Sequence, residues 1–317
     1  MGLDRVDRRA VLTSAAARLR AAGVDSSEHD AAELLAHVLG TTRSQMVLVP
    51  DLSVATVEVY DALVARRAER EPLQHLTGVA YFRHVVLRVG PGVFVPRPET
   101  ELLAGWAIEQ TLVISEGGTE TVTGRVTEGI ADGVGRRPIV VDLGTGSGAV
   151  AKSIAHEVPA ARVYAVELDP VAHGWATENL AGTGVELRLG DLATAFGDLD
   201  GTADVVVCNP PYIPLEAWES VAPEARDHDP HLALFSGPDG LDAIRVLERR
   251  AAAMLRPGGL VGAEHADVQG DSAPSVFSAT GRWTEVRDHR DLAGRPRFMT
   301  ARLVTGSPPE GHDRMLR

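Results

Sequence analysis

The sequence predicts an α/β protein with a mostly parallel sheet, preceded by a small N-terminal helical bundle. Apolar residues recur at helical spacing from about Arg8 to Glu71, which predicts packed helices. From Pro138 onward, short apolar runs alternate with helical stretches. Because a helix that links two neighbouring strands lets both run in the same direction, this alternation predicts crossovers and a sheet covered on both faces.

The N-terminal helices have recognisable ends. Gly23 and Gly40 interrupt the helical pattern where glycine can end a helix, and Ser26 or Ser27 can cap the second helix. The prolines and glycines that follow, up to Pro98, favour strand or extended chain. The predicted organisation is a helical domain at residues 1–72, a β-hairpin linker at residues 73–98 and an α/β domain at residues 99–317.

Seven apolar runs are predicted strands of the main sheet. The first five are Ile139–Leu143, Arg162–Val166, Val185–Leu189, Ala203–Cys208 and Gly259–Ala263, and a terminal pair at Trp283–Asp288 and Phe298–Val304 can complete the sheet. A helix is expected at Glu99–Gln110. Residues 115–136 are rich in Gly and Thr and lack a sustained apolar period, so we expect a mobile surface insertion there.

Composition excludes several classes of protein. The net charge of −13 over 317 residues provides no broad positive field for a phosphate backbone, which disfavours tight nucleic-acid binding. The single cysteine, Cys208, excludes an intramolecular disulfide and a multi-thiolate zinc site, so no metal is expected. Neither a signal peptide nor a membrane span is visible, and the expected location is the cytoplasm.

A glycine-rich loop follows the first predicted strand. In VDLGTGSGAV, Gly144, Gly146 and Gly148 stand where the backbone turns tightly and a ligand can approach it. The next strand ends at Glu167, whose carboxylate can accept hydrogen bonds from ribose hydroxyls. Together they predict a nucleoside site at the carboxyl edge of the sheet.

The glycine loop alone leaves the nature of the nucleoside open. Gly144, Gly146 and Ala149 also satisfy the dinucleotide pattern G-x-G-x-x-A, so a nicotinamide oxidoreductase is a rival interpretation of this motif. A second motif is needed to decide.

That second motif is Asn209-Pro210-Pro211-Tyr212, which directly follows an apolar strand. The two prolines hold the chain extended and leave the carbonyl of Pro210 available as an acceptor. The side-chain oxygen of Asn209 is a second acceptor, and the ring of Tyr212 offers a flat wall. This arrangement suits a planar –NH2 group with both hydrogens held, and its position beside a nucleoside site favours group transfer to nitrogen.

With these motifs, the chain resembles the bacterial release factor glutamine methyltransferases, the HemK or PrmC family, over nearly its whole length. The shared segments are EPLQHLTG, FVPRPETE, VDLGTGSGA, NPPYIP, HDPHLALFSGPDGLD and the final RPRF. The resemblance implies a Rossmann-like class I methyltransferase domain that uses S-adenosylmethionine. It also implies that the N-terminal helical domain docks a peptide-chain release factor, and that a glutamine of that factor is methylated on its side-chain amide nitrogen.

The resemblance also implies roles for individual residues. Asn209, Pro210 and Tyr212 would be catalytic, and with Pro211 they would hold the glutamine amide of the Gly-Gly-Gln loop. The implied cofactor-binding residues are Gly144, Thr145, Gly146, Ser147, Gly148, Glu167, Asp191 and Asn209. Leu192 stands where some members have an aromatic residue beside the adenine, which is a departure from the family pattern.

Asn-Pro-Pro-Tyr also occurs in enzymes that methylate adenine N6 in DNA, so a nucleic-acid methyltransferase acting on adenine N6 or guanine N2 is a second hypothesis. The acidic net charge and the PRPETE segment argue against it. The nicotinamide oxidoreductase, which rests on the glycine loop alone, is a third hypothesis. A binding module without catalysis is a fourth, which the intact motif at Asn209–Tyr212 disfavours.

Overall fold

The computed structural model describes residues 5–49, 51–117 and 137–305. The predicted insertion therefore lies, beyond Gly117, outside the described residues. By its internal contacts the chain divides into two compact units. The first unit comprises Met1–Ala80, Val89–Pro91 and Val221–Asp229, and the second comprises Tyr81–Arg88, Gly92–Ser220 and Pro230–Arg317.

The helices, in chain order, are α1 Arg8–Ala21, α2 Ser27–Val38, α3 Arg43–Met46, α4 Val54–Ala68, α5 Leu73–Thr77, α6 Thr100–Ser115, α7 Ala149–Glu157, α8 Pro170–Leu180, α9 Pro223–His228, α10 His231–Leu234, α11 Asp242–Met254 and α12 Ser272–Ser278. The strands are β1 Arg5–Asp7, β2 Asp51–Ser53, β3 Val79–Phe82, β4 Val85–Arg88, β5 Ile139–Leu143, β6 Arg162–Glu167, β7 Glu186–Leu189, β8 Ala203–Cys208, β9 Leu255–Glu264, β10 Trp283–Arg290 and β11 Pro296–Leu303.

The first unit is the helical bundle that the apolar periodicity predicts. Leu19, Leu34, Leu35 and Tyr60 are fully buried in one cluster, and the Tyr60 hydroxyl donates to the carbonyl of Ala31 at 3.0 Å. Burial of such side chains supplies most of the stability of short helices that would be marginal alone. The bundle is thus held together by its apolar faces.

The helix ends follow the sequence in part. Gly23 and Gly40 lie just beyond α1 and α2 with φ of 76° and 61°, as a left-handed helix end requires. Ser26 occupies the N-cap position of α2, but its hydroxyl donates to Asp30 at 2.8 Å and makes no cap hydrogen bond. Strands β1 and β2, which pair antiparallel, are too short for a sequence pattern to reveal.

A buried charged cluster ties the distant segment at α9 to the helices of the first unit. Arg67, which is 6% exposed, donates to Asp30 at 2.7 Å and to Glu224 at 3.0 Å. Arg70 also donates to Glu224, at 2.7 Å. Because an unpaired buried charge is expensive, each member of this cluster depends on the others.

The second unit contains a seven-stranded sheet in the order β10-β11-β9-β8-β5-β6-β7. Strands β7, β6, β5, β8 and β9 are parallel, and β11 and β10 continue the sheet antiparallel. Helices connect most of the parallel strands, and a short 3₁₀ helix at Gly197–Leu199 lies between β7 and β8, so the predicted fold class is confirmed. The predicted terminal pair of strands is β10 and β11.

The bounds of β9 differ most from those predicted. This strand begins at Leu255, whereas Gly259 was predicted. The earlier residues were missed because Arg256, Pro257 and Gly258 interrupt the apolar run. The pairing with β8 is irregular there, since Ala203 lies opposite Leu255 while Val205 lies opposite Leu260. Such a bulge leaves no apolar signature in the sequence.

Within the described residues, no helix is both long and apolar enough to cross a membrane. Strands β3 and β4 form a two-stranded sheet inside the segment predicted as a hairpin linker. The division into residues 1–72, 73–98 and 99–317 stays a prediction.

We expect Arg67→Met to lower the free energy of unfolding of the first unit by about 3 kcal/mol, because the substitution strands the buried carboxylate of Asp30. Urea denaturation followed by circular dichroism measures the change. Arg66→Met is the matched control, since Arg66 is 53% exposed and its ion pair with Glu71 should contribute no more than about 1 kcal/mol. Equal effects of the two substitutions would contradict the importance of the buried cluster.

Candidate active site

A cleft in the second unit lies at the carboxyl edge of the parallel strands. Both the glycine loop and the Asn-Pro-Pro-Tyr turn line it, so a nucleoside and a second group could lie side by side there. Its lining includes most of the glycine loop, the Asn-Pro-Pro-Tyr turn, several acids and an apolar wall, namely Gly144, Thr145, Gly146, Ser147, Asp142, Glu167, Asp169, Asp191, Asn209, Pro210, Pro211, Tyr212, Phe82, Phe94, Pro96, Ile213 and Leu232.

The glycine loop turns back against β6. The backbone N–H groups of Gly144 and Thr145 both donate to the carbonyl of Val166, at 3.0 and 2.9 Å. Gly144 and Gly146 have φ of 72° and 58°, and a β-carbon on either would meet no atom within 4 Å. Glycine is therefore needed here for the left-handed backbone, and the space above the loop is open to a ligand.

Gly148 differs from the other two loop glycines because it is not among the residues that line the cleft. It precedes α7 with φ of 85°, and a β-carbon there would lie 3.0 Å from the side chain of Leu180. Glycine is therefore favoured at position 148 by packing, because the loop lies close to Leu180 of α8.

Asp142, near the end of β5, holds the glycine loop in place through two hydrogen bonds. Its Oδ2 accepts from the Thr145 hydroxyl at 2.6 Å and from the Ala151 N–H at 3.1 Å. Burial raises the pKa of Asp142 to about 7, while these hydrogen bonds act in the opposite direction. The sequence interpretation left Asp142 out of the site, although an acid inside an otherwise apolar strand was the signal that could have found it.

Glu167 ends β6 and faces the glycine loop. Its Oε1 accepts from the N–H groups of Leu168 and Asp169 at 2.8 and 2.9 Å, and its Oε2 accepts from the N–H of Gly146 at 2.8 Å. A carboxylate has about four acceptor positions. One position on Oε2 is therefore left for a ligand hydroxyl, and a second hydroxyl would have to share or replace a backbone donor.

The remaining acid of the prediction, Asp191, lies just beyond β7 at the rim of the cleft. It is exposed, and its Oδ1 accepts from the N–H of Ala193 at 2.8 Å. Leu192, the predicted departure from the family pattern, also lines the cleft and is partly buried.

The Asn-Pro-Pro-Tyr turn continues directly from β8 into the cleft. The side-chain NH2 of Asn209 donates to the Thr100 hydroxyl at 3.2 Å, and the Tyr212 hydroxyl donates to Glu264 at 3.2 Å. The carbonyl of Tyr212 accepts from the Gln269 side chain at 3.1 Å. A β-carbon on Gly240 would lie 2.2 Å from that carbonyl oxygen, so glycine is required where the chain passes the turn.

The sequence interpretation missed the partners of this turn. Thr100 and Glu264 belong to α6 and β9, far from residue 209 in the chain, and neither was assigned a role. Glu264 ends an apolar strand at the same sheet edge as Glu167, which is the signal that could have found it. Arg97 and Glu99, neighbours in the PRPETE segment, are not among the lining residues, whereas Phe94, Pro96 and Thr100 are.

Other chemistry is disfavoured at this site. Cys208 is fully buried at the end of β8, and burial raises the pKa of its thiol, so it is a poor nucleophile. No group of three or more His, Cys, Asp or Glu side chains suitable for a metal ion occurs in the described part of the chain.

Sequence comparison shows which known proteins this chain is similar to. Residues 10–78 match the family model of the PrmC N-terminal domain, and residues 140–228 match that of a methyltransferase domain. The release factor glutamine methyltransferase of Streptomyces coelicolor is 53% identical over 92% of this chain and 97% of its own length. That of Mycolicibacterium smegmatis is 42% identical over 94% of this chain and 99% of its own.

A relative with a different name shares part of the chain. The 4-amino-L-phenylalanine/4-methylamino-L-phenylalanine methyltransferase of Streptomyces pristinaespiralis is 44% identical over 70% of this chain and 70% of its own length. The two preceding relatives match a much larger share of this chain and of their own length, and this fuller coverage decides the assignment. The chain belongs to the release factor glutamine methyltransferase family.

Proposed function

We propose that this protein transfers a methyl group from S-adenosylmethionine to the side-chain amide nitrogen, N5, of the glutamine in the Gly-Gly-Gln motif of a peptide-chain release factor. The observation that carries the proposal is that the Asn209–Tyr212 turn and the glycine loop line the same cleft. A site for a planar amide therefore adjoins a site for a nucleoside donor.

The residues on the donor side fit S-adenosylmethionine. The open space above Gly144 and Gly146 admits the ligand, and we assign Thr145, Ser147, Glu167, Asp191 and Asn209 to its binding surface, with Gly148 shaping the loop. When bound, S-adenosylmethionine supplies an electrophilic methyl carbon on a positively charged sulfur. The carboxylates that line the cleft favour a cation over a neutral ligand.

On the acceptor side, the chain must orient a weak nucleophile. An amide nitrogen shares its lone pair with the carbonyl, so it attacks only when the approach is well aligned. The side-chain oxygen of Asn209 and the carbonyl of Pro210 each accept a hydrogen bond from one N–H of the amide. The ring of Tyr212 limits the tilt of the amide plane. Catalysis then comes mainly from orientation and local electrostatics, without a strong base before transfer.

We further propose that the N-terminal helical domain, residues 1–72, docks the release factor, with residues 73–98 as a linker and residues 99–317 as the methyltransferase domain. The match of residues 10–78 to the PrmC N-terminal domain supports this division. The net charge of −13 argues against nucleic acid as the substrate.

A second acceptor class is an aromatic amine, because the Streptomyces pristinaespiralis relative is named for one. An aromatic –NH2 is also flat and would meet the same acceptors at Asn209. That relative matches a smaller part of the chain, so we rank this class second.

The central experiment incubates the purified protein with S-adenosylmethionine labelled in the methyl group and, in parallel, with release factor, 4-amino-L-phenylalanine, DNA and RNA. We expect label in the release factor alone, mapped by mass spectrometry to the glutamine of Gly-Gly-Gln. A release factor with that glutamine replaced by alanine is the control and should take up no label. Label only in a nucleic acid or only in the amine would overturn the proposal.

Asn209→Ala should lower kcat by about 10²-fold or more, the usual scale for losing one well-placed polar group in a transition state. Affinity for S-adenosylhomocysteine, measured by calorimetry, should change much less, because the donor site keeps its other contacts. Steady-state kinetics with release factor measure the effect. Full turnover in this variant would contradict the role of Asn209.

Glu167→Gln should weaken S-adenosylhomocysteine binding by about 10-fold, because a hydrogen bond to a charged acceptor is replaced by a weaker one. Calorimetric titration measures the affinity. Glu186→Gln is the matched control on the adjacent strand, since Glu186 is 52% exposed and pairs with Arg188 away from the cleft lining. If both variants bind like the unmodified protein, Glu167 is not a cofactor ligand.

A further inference from the structure

A buried carboxylate lies behind the acceptor side of the cleft. Glu264, the last residue of β9, is 1% exposed. Its Oε2 accepts from the Thr100 hydroxyl at 2.7 Å, and its Oε1 accepts from the Tyr212 hydroxyl at 3.2 Å. Burying a carboxylate is costly unless it is hydrogen-bonded, so both hydroxyl protons are drawn to Glu264.

The direction of these hydrogen bonds, from donor to acceptor, determines how the side-chain amide of Asn209 is oriented. A hydroxyl has one proton, and the proton of Thr100 is used by Glu264. Toward Asn209, the Thr100 oxygen can therefore only accept, which requires the NH2 of Asn209 to face it, at 3.2 Å. The Asn209 carbonyl oxygen is consequently left to serve as an acceptor.

We propose that Glu264 is the positioning residue of the acceptor site, and that it acts through Thr100 to make Asn209 present its oxygen to the incoming amide. The inference rests on the proposed function, because an oxygen at this place is useful only for a substrate that brings an N–H group. It also gives Thr100 a role: its hydroxyl donates to Glu264 and therefore accepts from the NH2 of Asn209.

A neutral group in place of the carboxylate would allow the opposite arrangement. A side-chain amide or a protonated carboxyl at position 264 can donate to Thr100, and Thr100 can then donate to the oxygen of Asn209. The NH2 of Asn209 would face the substrate amide, so that two donors meet and neither finds an acceptor. Activity should therefore require the ionised form of Glu264.

The charge of Glu264 is set by the groups around it. Burial, with a smaller contribution from Glu99, outweighs the opposing effects of the Thr100 and Tyr212 hydroxyls and of the charge of Arg297, so that the pKa of Glu264 is raised to about 7. Burial and the charge of Glu264 also raise the pKa of Tyr212, which keeps its hydroxyl protonated and available as a donor.

The test compares Glu264→Gln, which keeps the shape of the side chain, with Thr100→Val and Thr100→Ser. We expect Glu264→Gln and Thr100→Val to lower kcat for release factor methylation about 10- to 100-fold, the scale of a small misalignment of a reacting group. Thr100→Ser keeps the hydroxyl and should retain most of the activity. The affinity for S-adenosylhomocysteine should change less than about threefold, because the glycine loop and Glu167 keep their contacts, so the loss is expected mainly in kcat.

Glu248→Gln is the control for neutralising a buried acid elsewhere. Glu248 is 2% exposed, accepts from Trp283 and Arg282, and is not among the residues that line the cleft. This variant should lower the melting temperature and leave kcat unchanged at a temperature where it is folded.

The pH profile separates positioning from a merely structural role. In the unmodified protein, kcat should fall as the pH is lowered through about 7, and this decline should be missing in Glu264→Gln. Asp142 also titrates near pH 7, but it supports the glycine loop. Its effect is therefore expected in the affinity for S-adenosylhomocysteine, which is measured at each pH.

A readout independent of activity is the exchange of the Asn209 side-chain NH2 with water, followed by NMR and assigned by its loss in Asn209→Ala. Facing the buried hydroxyl of Thr100, this group should exchange slowly in the unmodified protein and at least about tenfold faster in Glu264→Gln. Equal exchange in the two proteins, full turnover in Glu264→Gln, or equal loss in Thr100→Ser and Thr100→Val would each overturn the inference. If the unmodified protein does not methylate release factor, the proposed function fails instead, and the exchange measurement still decides the orientation of Asn209.

Discussion

The site depends on one constraint, the register in which the parallel strands of the second unit end. Leu143 on β5 lies opposite Val166 on β6 and Cys208 on β8, and Cys208 in turn lies opposite Ala263 on β9. The residue after each of these positions is therefore brought to the same edge of the sheet. Those residues are Gly144, Glu167, Asn209 and Glu264. One row across four strands therefore contains the start of the glycine loop, Glu167, the start of the Asn209–Tyr212 turn and the buried Glu264.

At this sheet edge, each half of the cleft has a buried carboxylate beside it. Asp142 holds the glycine loop through Thr145 and Ala151, and Glu264 holds the acceptor turn through Thr100 and Tyr212. Burial raises the pKa of both acids to about 7. A charge that is expensive to bury is tolerated where it orders hydrogen-bond donors around it, and here each acid orders the half of the site to which it belongs.

The proposed role of the Asn209–Tyr212 turn is compatible with the different names of the relatives. Release factor glutamine methyltransferases and a methyltransferase named for 4-amino-L-phenylalanine share sequence with this chain. An amide and an aromatic amine both have a flat –NH2 group whose lone pair is delocalised. The turn that we propose to accept hydrogen bonds from both N–H groups would suit either kind of amine, and the surfaces that bind the rest of the substrate would then select between them.

The sequence by itself determined the fold class, the helical bundle, the seven strands, the glycine loop, Glu167 and the Asn209–Tyr212 turn, because periodicity, glycine and proline are local signals. It missed the irregular start of β9 and the first-unit cluster of Arg67 and Glu224, which join residues far apart in the chain. Only the tertiary structure brought Thr100 and Glu264 to Asn209 and Tyr212. Their contacts arise from the packing of α6 and β9 against the end of β8. Hydrogen bonds between residues 109 and 52 positions apart have no local pattern from which they could be recognised.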